Sequence, residues 1–124
     1  LAVSGMRERA QNSKTELVVI QADIFALDPS FDASFDIVWE QTCLCAIDPA
    51  RRDAYVETMQ RVLKPQGVLY ALLWNHQRQG GPPYDLPRAM THALFSARFD
   101  IVRVDTVHGS SRAGEYLMTL RKRG

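Results

Sequence analysis

Phe35-Asp36-Ile37-Val38-Trp39-Glu40-Gln41, then Asp48-Pro49, then Tyr55, Met59, Val62 and Leu63, and finally Lys64-Pro65-Gln66-Gly67 ahead of Val68-Leu69-Tyr70-Ala71-Leu72-Leu73-Trp74 form the stretch on which the fold turns. The first run is apolar and β-rich up to a polar tip at Glu40-Gln41, as a strand buried along its length would be. Asp48 is suited to cap a helix that has proline at its first position. The apolar residues from Tyr55 to Leu63 recur at i, i+4, i+7 and i+8, which places them on one helical face. Lys64 to Gly67 breaks the helix, and Val68–Trp74 reads as a second buried strand. Strand, helix and strand in that order predict a right-handed crossover between parallel neighbours.

The same grammar extends outward. Upstream, Glu16-Leu17-Val18-Val19-Ile20-Gln21-Ala22 reads as another buried strand with Asp23 just past its end. Before it, Ser4 is placed to cap a short helix that stops in the polar run Gln11-Asn12-Ser13-Lys14. Downstream, the corner Gly80-Gly81-Pro82-Pro83-Tyr84 precedes a helix marked by Asp85 and Pro87, with Met90, Ala93, Leu94 and Ala97 on one face. Two strands, 99–107 and 115–121, follow across a glycine- and serine-rich turn. The expected order is α-β-β-α-β-α-β-β. It describes an α/β protein with a mostly parallel sheet covered on both faces and an antiparallel hairpin at its edge.

Composition limits what such a domain does. The chain has 124 residues, 46% hydrophobic, enough for one core. Fifteen basic against 14 acidic side chains give a net charge of +1, so no broad field draws in nucleic acid or an anionic membrane. The terminal Arg121-Lys122-Arg123 reads as a solvated tail. The longest apolar run is far short of the ~20 residues of a membrane span, and no secretory leader is recognisable. With two cysteines in a bare C-x-C at Cys43 and Cys45, the expectation is an inert thiol pair in a protein of the reducing cytoplasm.

In open α/β sheets ligands bind beyond the carboxyl ends of the strands. The candidates are therefore Asp23-Ile24, Glu40-Gln41 and Trp74-Asn75-His76, with the Gly80–Tyr84 corner beside them. Asp23 suits a hydrogen bond to a heterocyclic amino group, and equally a turn cap. Glu40 is a carboxylate at the end of an apolar run, where it either faces a cleft or meets a cation. The corner combines two free and two fixed φ angles and presents the ring of Tyr84. His76, His92 and His108 have neither a nucleophile nor a metal partner at useful spacing, which argues against hydrolase and zinc chemistry.

Together, Phe35-Asp36-Ile37-Val38-Trp39-Glu40, Cys45-Ala46-Ile47-Asp48-Pro49, Val62-Leu63-Lys64-Pro65-Gln66-Gly67 and Gly80-Gly81-Pro82-Pro83-Tyr84 resemble the thiopurine S-methyltransferase family. That family sits within the S-adenosylmethionine-dependent methyltransferases and includes a thiol and halide methyltransferase branch. The resemblance implies a class I, Rossmann-like methyltransferase sheet and S-adenosyl-L-methionine as cofactor. It also implies methyl transfer to a small-molecule thiol or related soft nucleophile: a thiopurine, a thiol or a halide. It assigns Asp23, Ile24, Glu40 and Gln41 to the cofactor and Tyr84 and Trp74 to the substrate side. The family often carries an aromatic residue or arginine where Gln41 stands. The glycine-rich loop and the following acid that hold the rest of the cofactor in class I enzymes are absent from these residues. Residues 1–124 are thus expected to be one methyltransferase domain lacking its N-terminal strands and poorly active alone. A noncatalytic interaction module is the rival reading. A nucleotide-dependent oxidoreductase would need a G-x-G-x-x-G, which this sequence does not contain.

Overall fold

The structure is a computed structural model that describes residues 2–13 and 16–124; Leu1 and the expected helix stop at Lys14 lie outside the described residues. The first helix, α1 (Ala2–Asn12), begins ahead of Ser4, so Ser4 does not cap it. The amide of Ser13 reaches back to the Arg9 carbonyl at 3.0 Å to close its last turn.

The strand expected over 16–22 does not form. The segment is extended but joins no ladder, and Leu17, Val18 and Ile20 are exposed, Val18 by 84%. The reason is physical rather than compositional. A strand is stabilised by a hydrogen-bonded neighbour, and none lies beside this segment among the described residues. It is tied to α1 by the Arg7 guanidinium, which donates to the Val19 carbonyl at 3.0 Å from Nη2.

From Phe35 onward the elements follow the sequence. Strand β1 (Phe35–Gln41) leads to a 3₁₀ turn, Pro49–Arg51, which Asp48 caps by accepting from the Ala50 amide at 2.9 Å. The α-helix proper, α2 (Arg52–Val62), starts one turn later and buries Tyr55, Val56, Met59 and Val62. Its dipole is matched by Asp53 in the first turn and Arg61 in the last. Strand β2 (Leu63–Trp74) begins immediately after the helix, earlier than the expected Val68. Gly67 is required in this tight exit because a Cβ there would lie 2.8 Å from the Lys64 carbonyl oxygen. Helix α3 (Arg88–Ser96) and the antiparallel strands β3 (Phe99–Thr106) and β4 (Glu115–Lys122) complete the chain.

The sheet order is β1-β2-β4-β3. Only β1 and β2 are parallel; β2 with β4 and β4 with β3 are antiparallel. The expected mostly parallel sheet is therefore a mixed one, because the segment that would have added a parallel pair stays outside it. The α/β open sheet with an antiparallel C-terminal strand is as expected.

Cover is also one-sided along β1. Side chains on one face, including Leu69, Ala71, Leu73, Tyr116, Met118 and Leu120, pack into the core with Tyr55, Leu86, Phe95 and Phe99. On the other face Ile37 and Trp39 are 60% and 57% exposed, which overturns the expectation of a fully buried strand there. An apolar slot of about 410 Å3 lies between this edge and the 20–27 segment, with Ile20, Phe35, Ile37 and Val62 among its walls.

The basic C-terminus is not a solvated tail. Lys122 Nζ donates to the Leu63 carbonyl at 2.7 Å, and Arg123 Nη2 donates to the carbonyls of Ser96 and Phe99 at 2.7 and 2.8 Å. These bonds tie the end of β4 to the start of β2 and to the exit of α3. No helix among the described residues is long and apolar enough to cross a membrane.

Candidate functional site

The carboxyl ends of β1 and β2 lie side by side, with Gln41 paired to Leu72. Because β4 runs antiparallel to β2, its first residue, Glu115, pairs with Trp74 at the last position of β2. The turn that precedes β4 is thereby carried to the same end of the sheet. A tight crevice forms there, walled by Glu40, Gln41, Thr42, Cys45, Trp74 and Arg112. Of the expected site residues, Glu40, Gln41 and Trp74 meet in this crevice.

Glu40 is 4% exposed, yet it carries a carboxylate. Burying one demands donors, and the turn after β1 supplies them. The amides of Cys43 and Leu44 donate to the two carboxylate oxygens at 3.0 and 3.1 Å, and the buried Tyr55 hydroxyl donates from α2. Glu40 thus fastens the Thr42–Cys45 turn to both the sheet and the helix. Gln41 is exposed, and its amide oxygen accepts from Trp39 Nε1 at 3.3 Å.

This environment sets the state of the thiols. Burial, reinforced by the Glu40 charge and then by Cys45, pushes the Cys43 thiol up to about 11. The Cys45 thiol moves the same way, again from burial first and Glu40 second. Tyr55 is driven well above the ordinary phenol range by burial and by Glu40. Both cysteines are half-buried and unbridged. They are neutral thiols at neutral pH, and among the described residues no cluster fit to hold a metal ion occurs.

Trp74 is the most elaborated residue of the site. Its indole N–H donates to the Ala113 carbonyl at 3.0 Å, and the guanidinium carbons of Arg112 and Arg78 lie 4.8 and 5.0 Å from its ring centroid. His76 meets it edge-on at 5.0 Å. The Gly80–Tyr84 corner is docked against this wall by its backbone. The Tyr84 amide donates to the Cys45 carbonyl at 2.7 Å, the Leu86 amide donates to the Trp74 carbonyl at 3.1 Å, and His76 Nε2 lies 2.8 Å from the Pro83 carbonyl oxygen. Tyr84 is therefore held at the crevice by its main chain.

Asp23 and Ile24 stand apart. Asp23 caps a 3₁₀ turn, Ile24–Ala26, through Oδ1 and the Phe25 amide at 2.9 Å, which is the turn role left open by the sequence. Among the described residues no donor reaches its Oδ2, and the residue is exposed. Ile24 packs against the core and borders the apolar slot.

Sequence reasoning missed Arg112, Arg78, Tyr55 and the precise duty of Glu40. The first two lie in connecting loops with no motif of their own. The signal that locates Arg112 is topological: an antiparallel final strand carries the turn before it to the carboxyl end of its parallel neighbour.

An open α/β sheet of this order, with a crevice at its strand tips, is the fold of the S-adenosylmethionine-dependent methyltransferases. The 1,6-didemethyltoxoflavin-N1-methyltransferase of Burkholderia thailandensis, solved with S-adenosylhomocysteine, superposes with a TM-score of 0.73 over 96% of this chain and 56% of its own, at 20% identity. Within that class, the thiopurine S-methyltransferase (TPMT) family profile matches residues 2–115, and the chain belongs to this family. Thiocyanate methyltransferase 1 of Brassica oleracea is 35% identical over 66 residues, covering 52% of this chain and 28% of that protein. A thiopurine S-methyltransferase of Xanthobacter autotrophicus is 27% identical over 114 residues, covering 86% of this chain and 53% of that protein. The chain thus spans about half or less of the length of these relatives.

Proposed function

We propose that this chain forms the cofactor- and substrate-facing wall of an enzyme that transfers the methyl group of S-adenosyl-L-methionine to a small-molecule thiol or related soft nucleophile. The observation that carries the reading is the crevice at the tips of β1 and β2, bounded by Gln41, Thr42, Cys45 and Trp74 with the Tyr84 corner bonded beside it through the Cys45 carbonyl, in a chain of this family. The residues present fit one side of the cofactor. The free Oδ2 of Asp23 suits an adenine amino group with Ile24 as apolar wall, and the Gln41 amide lines the strand tip. The crevice itself has room for about a single water, so it is a wall and not a complete pocket.

When bound, the cofactor supplies a methyl group on a positively charged sulfonium. The protein's share is alignment and exclusion of water, because an in-line displacement by a thiolate or halide needs no general base held in the site. A free thiol near pKa ~8.5 already offers some thiolate at neutral pH. The ring of Tyr84 suits a cationic centre, while the Trp74 ring, already met by the Arg112 and Arg78 guanidiniums, serves as an apolar wall. Raising Cys43 and Cys45 keeps the chain's own thiols protonated beside an alkylating group, so they do not compete with the substrate. Glu40 acts as a positioning residue, holding the turn rather than the ligand. The relatives named above are methyltransferases, and none supports a noncatalytic interaction module.

We further propose that the apolar slot beside β1 receives another strand, completing the sheet between the 16–22 segment and β1. Among the described residues β1 pairs only with β2 and Val18 is extended and joins no ladder, and with the exposed Ile37 and Trp39 these support the reading. Full activity then requires that strand, and the 124 residues alone are expected to bind weakly and turn over poorly. Calorimetric titration with S-adenosylhomocysteine tests the cofactor assignment. Weak saturable binding, diminished by Asp23→Ala and by Gln41→Ala, is expected. A folded chain that binds it no better than adenosine overturns the assignment.

A further inference from the structure

A third concavity lies on the helix-covered side of the sheet and shares no residue with the crevice or the apolar slot. It is a groove of about 530 Å3 bordered by α2, the exit of α3 and the end of β4, within the size range of small-molecule sites. Four cations border it, Arg51, Arg61, Arg98 and Lys122, against one carboxylate, Glu57.

Arg61 is neutralised by Asp32 at 3.2 Å. The other three have no carboxylate within ion-pair reach among the described residues. The Arg51 guanidinium carbon lies over the Phe25 ring, 3.7 Å from its centroid. Arg98 donates one bond to Gln60 Oε1 at 2.8 Å, and Lys122 donates one to the Leu63 carbonyl. Among the described residues most of their donors have no acceptor. Arg98 and Lys122 are half-buried, and among the described residues neither has a counter-charge. Unpaired cations of this kind offer charge-assisted donors to an entering anion. In a chain of net charge +1 the cluster is a local concentration, not a reflection of overall basicity.

We propose that this groove binds a polyphosphate-bearing small molecule. Three unpaired cations on three separate elements call for an anion with several charged groups along its length. A single carboxylate would satisfy only one of them. Guanidinium forks match phosphate oxygens in pairs, and Lys122 adds a point charge. A nucleoside triphosphate and inorganic tripolyphosphate share this chemistry. The Arg51–Phe25 pair adds a cationic and an aromatic surface that the base of a nucleotide, but not tripolyphosphate, can use.

The test is calorimetric titration of the whole chain with tripolyphosphate, ATP and AMP at low and at moderate salt. Saturable binding of tripolyphosphate or ATP, weakened by salt and exceeding that of AMP, is expected. Equal affinity for the first two assigns the site to the phosphate chain alone, and tighter ATP binding assigns it to a nucleotide. Arg98→Gln and Lys122→Gln should each weaken binding about tenfold, the value of a charge-assisted hydrogen bond. Arg121→Gln removes the same charge from the opposite face of β4 and should change nothing. If Arg98→Gln disturbs folding, Arg51→Gln, which gives up only a ring contact, carries the test. Absence of saturable binding, equal losses with Arg121→Gln, or preference for a single-stranded oligonucleotide over tripolyphosphate overturns the proposal.

Discussion

Replacing Glu40 by glutamine tests how the site is built, because the change removes a charge without changing shape. The carboxylate accepts from the amides of Cys43 and Leu44 and from the Tyr55 hydroxyl, and it is 4% exposed. In glutamine one oxygen becomes an NH2 group. If Oε1 is retained toward Leu44 and Tyr55, the new donor faces the Cys43 amide, which is itself a donor. One buried amide is then left unpaired, at about 1–3 kcal/mol, and the two remaining bonds lose their charge assistance. We expect a loss of about 2–3 kcal/mol in urea unfolding with an unchanged m-value. Tyr55→Phe alone should cost about 1–2 kcal/mol. Combined, the two should fall short of additivity by at least about 0.5 kcal/mol, since they disrupt one bond between them. A cost below about 0.5 kcal/mol for Glu40→Gln would refute the reasoning and return Glu40 to the ligand.

Further outcomes follow from other parts of the molecule. Gly114 has φ +98, and a Cβ there would press into the Asn75 carbonyl. Gly114→Ala should therefore cost more than about 2 kcal/mol in the same urea assay, and a neutral effect would contradict the geometry. Cys43 and Tyr116 hold their protons more tightly folded than unfolded, rising from 9.0 to about 11 and from 10.0 to about 12, each chiefly through burial. The unfolded chain thus binds fewer protons over that range, so stability should be intact below about pH 9 and fall as pH rises toward 11 and 12. Cys43→Ala should flatten the first part of that fall in pH-dependent unfolding. Ile37 is 60% exposed on a free edge, so Ile37→Lys should leave stability within about 0.5 kcal/mol while reducing self-association in sedimentation. A large stability loss would show that the edge is already covered.

How much of this was legible in the sequence depends on where each element finds its partners. The order β1-α2-β2 was readable because cap, helical period and breaker are all local, although Asp48 caps the 3₁₀ turn ahead of α2 rather than α2 itself and residues 64–67 lie within β2. The 16–22 strand was not, because its composition specifies extended backbone while the ladder that would hold it depends on a neighbour. For the same reason the apolar residues of β1 were expected inside and Ile37 and Trp39 are outside, while the polar tip Glu40 is buried by donors from its own turn and from Tyr55. Local pattern cannot register such donors, which are separated from Glu40 by 15 positions in the case of Tyr55. Asp23 had two readings, and the cap uses one of its two oxygens, leaving the other for the ligand reading.

The central claim is that the tips of β1 and β2, together with Asp23-Ile24, present one face to an S-adenosyl cofactor. Amide and indole NMR of the isotope-labelled chain, titrated with S-adenosylhomocysteine, tests it most directly. The account predicts saturable shifts at Asp23, Ile24, Gln41, Thr42 and the Trp74 indole, with none in the Arg98–Lys122 groove. Shifts confined to that groove, or no shift at the strand tips of a well-folded chain, would contradict it.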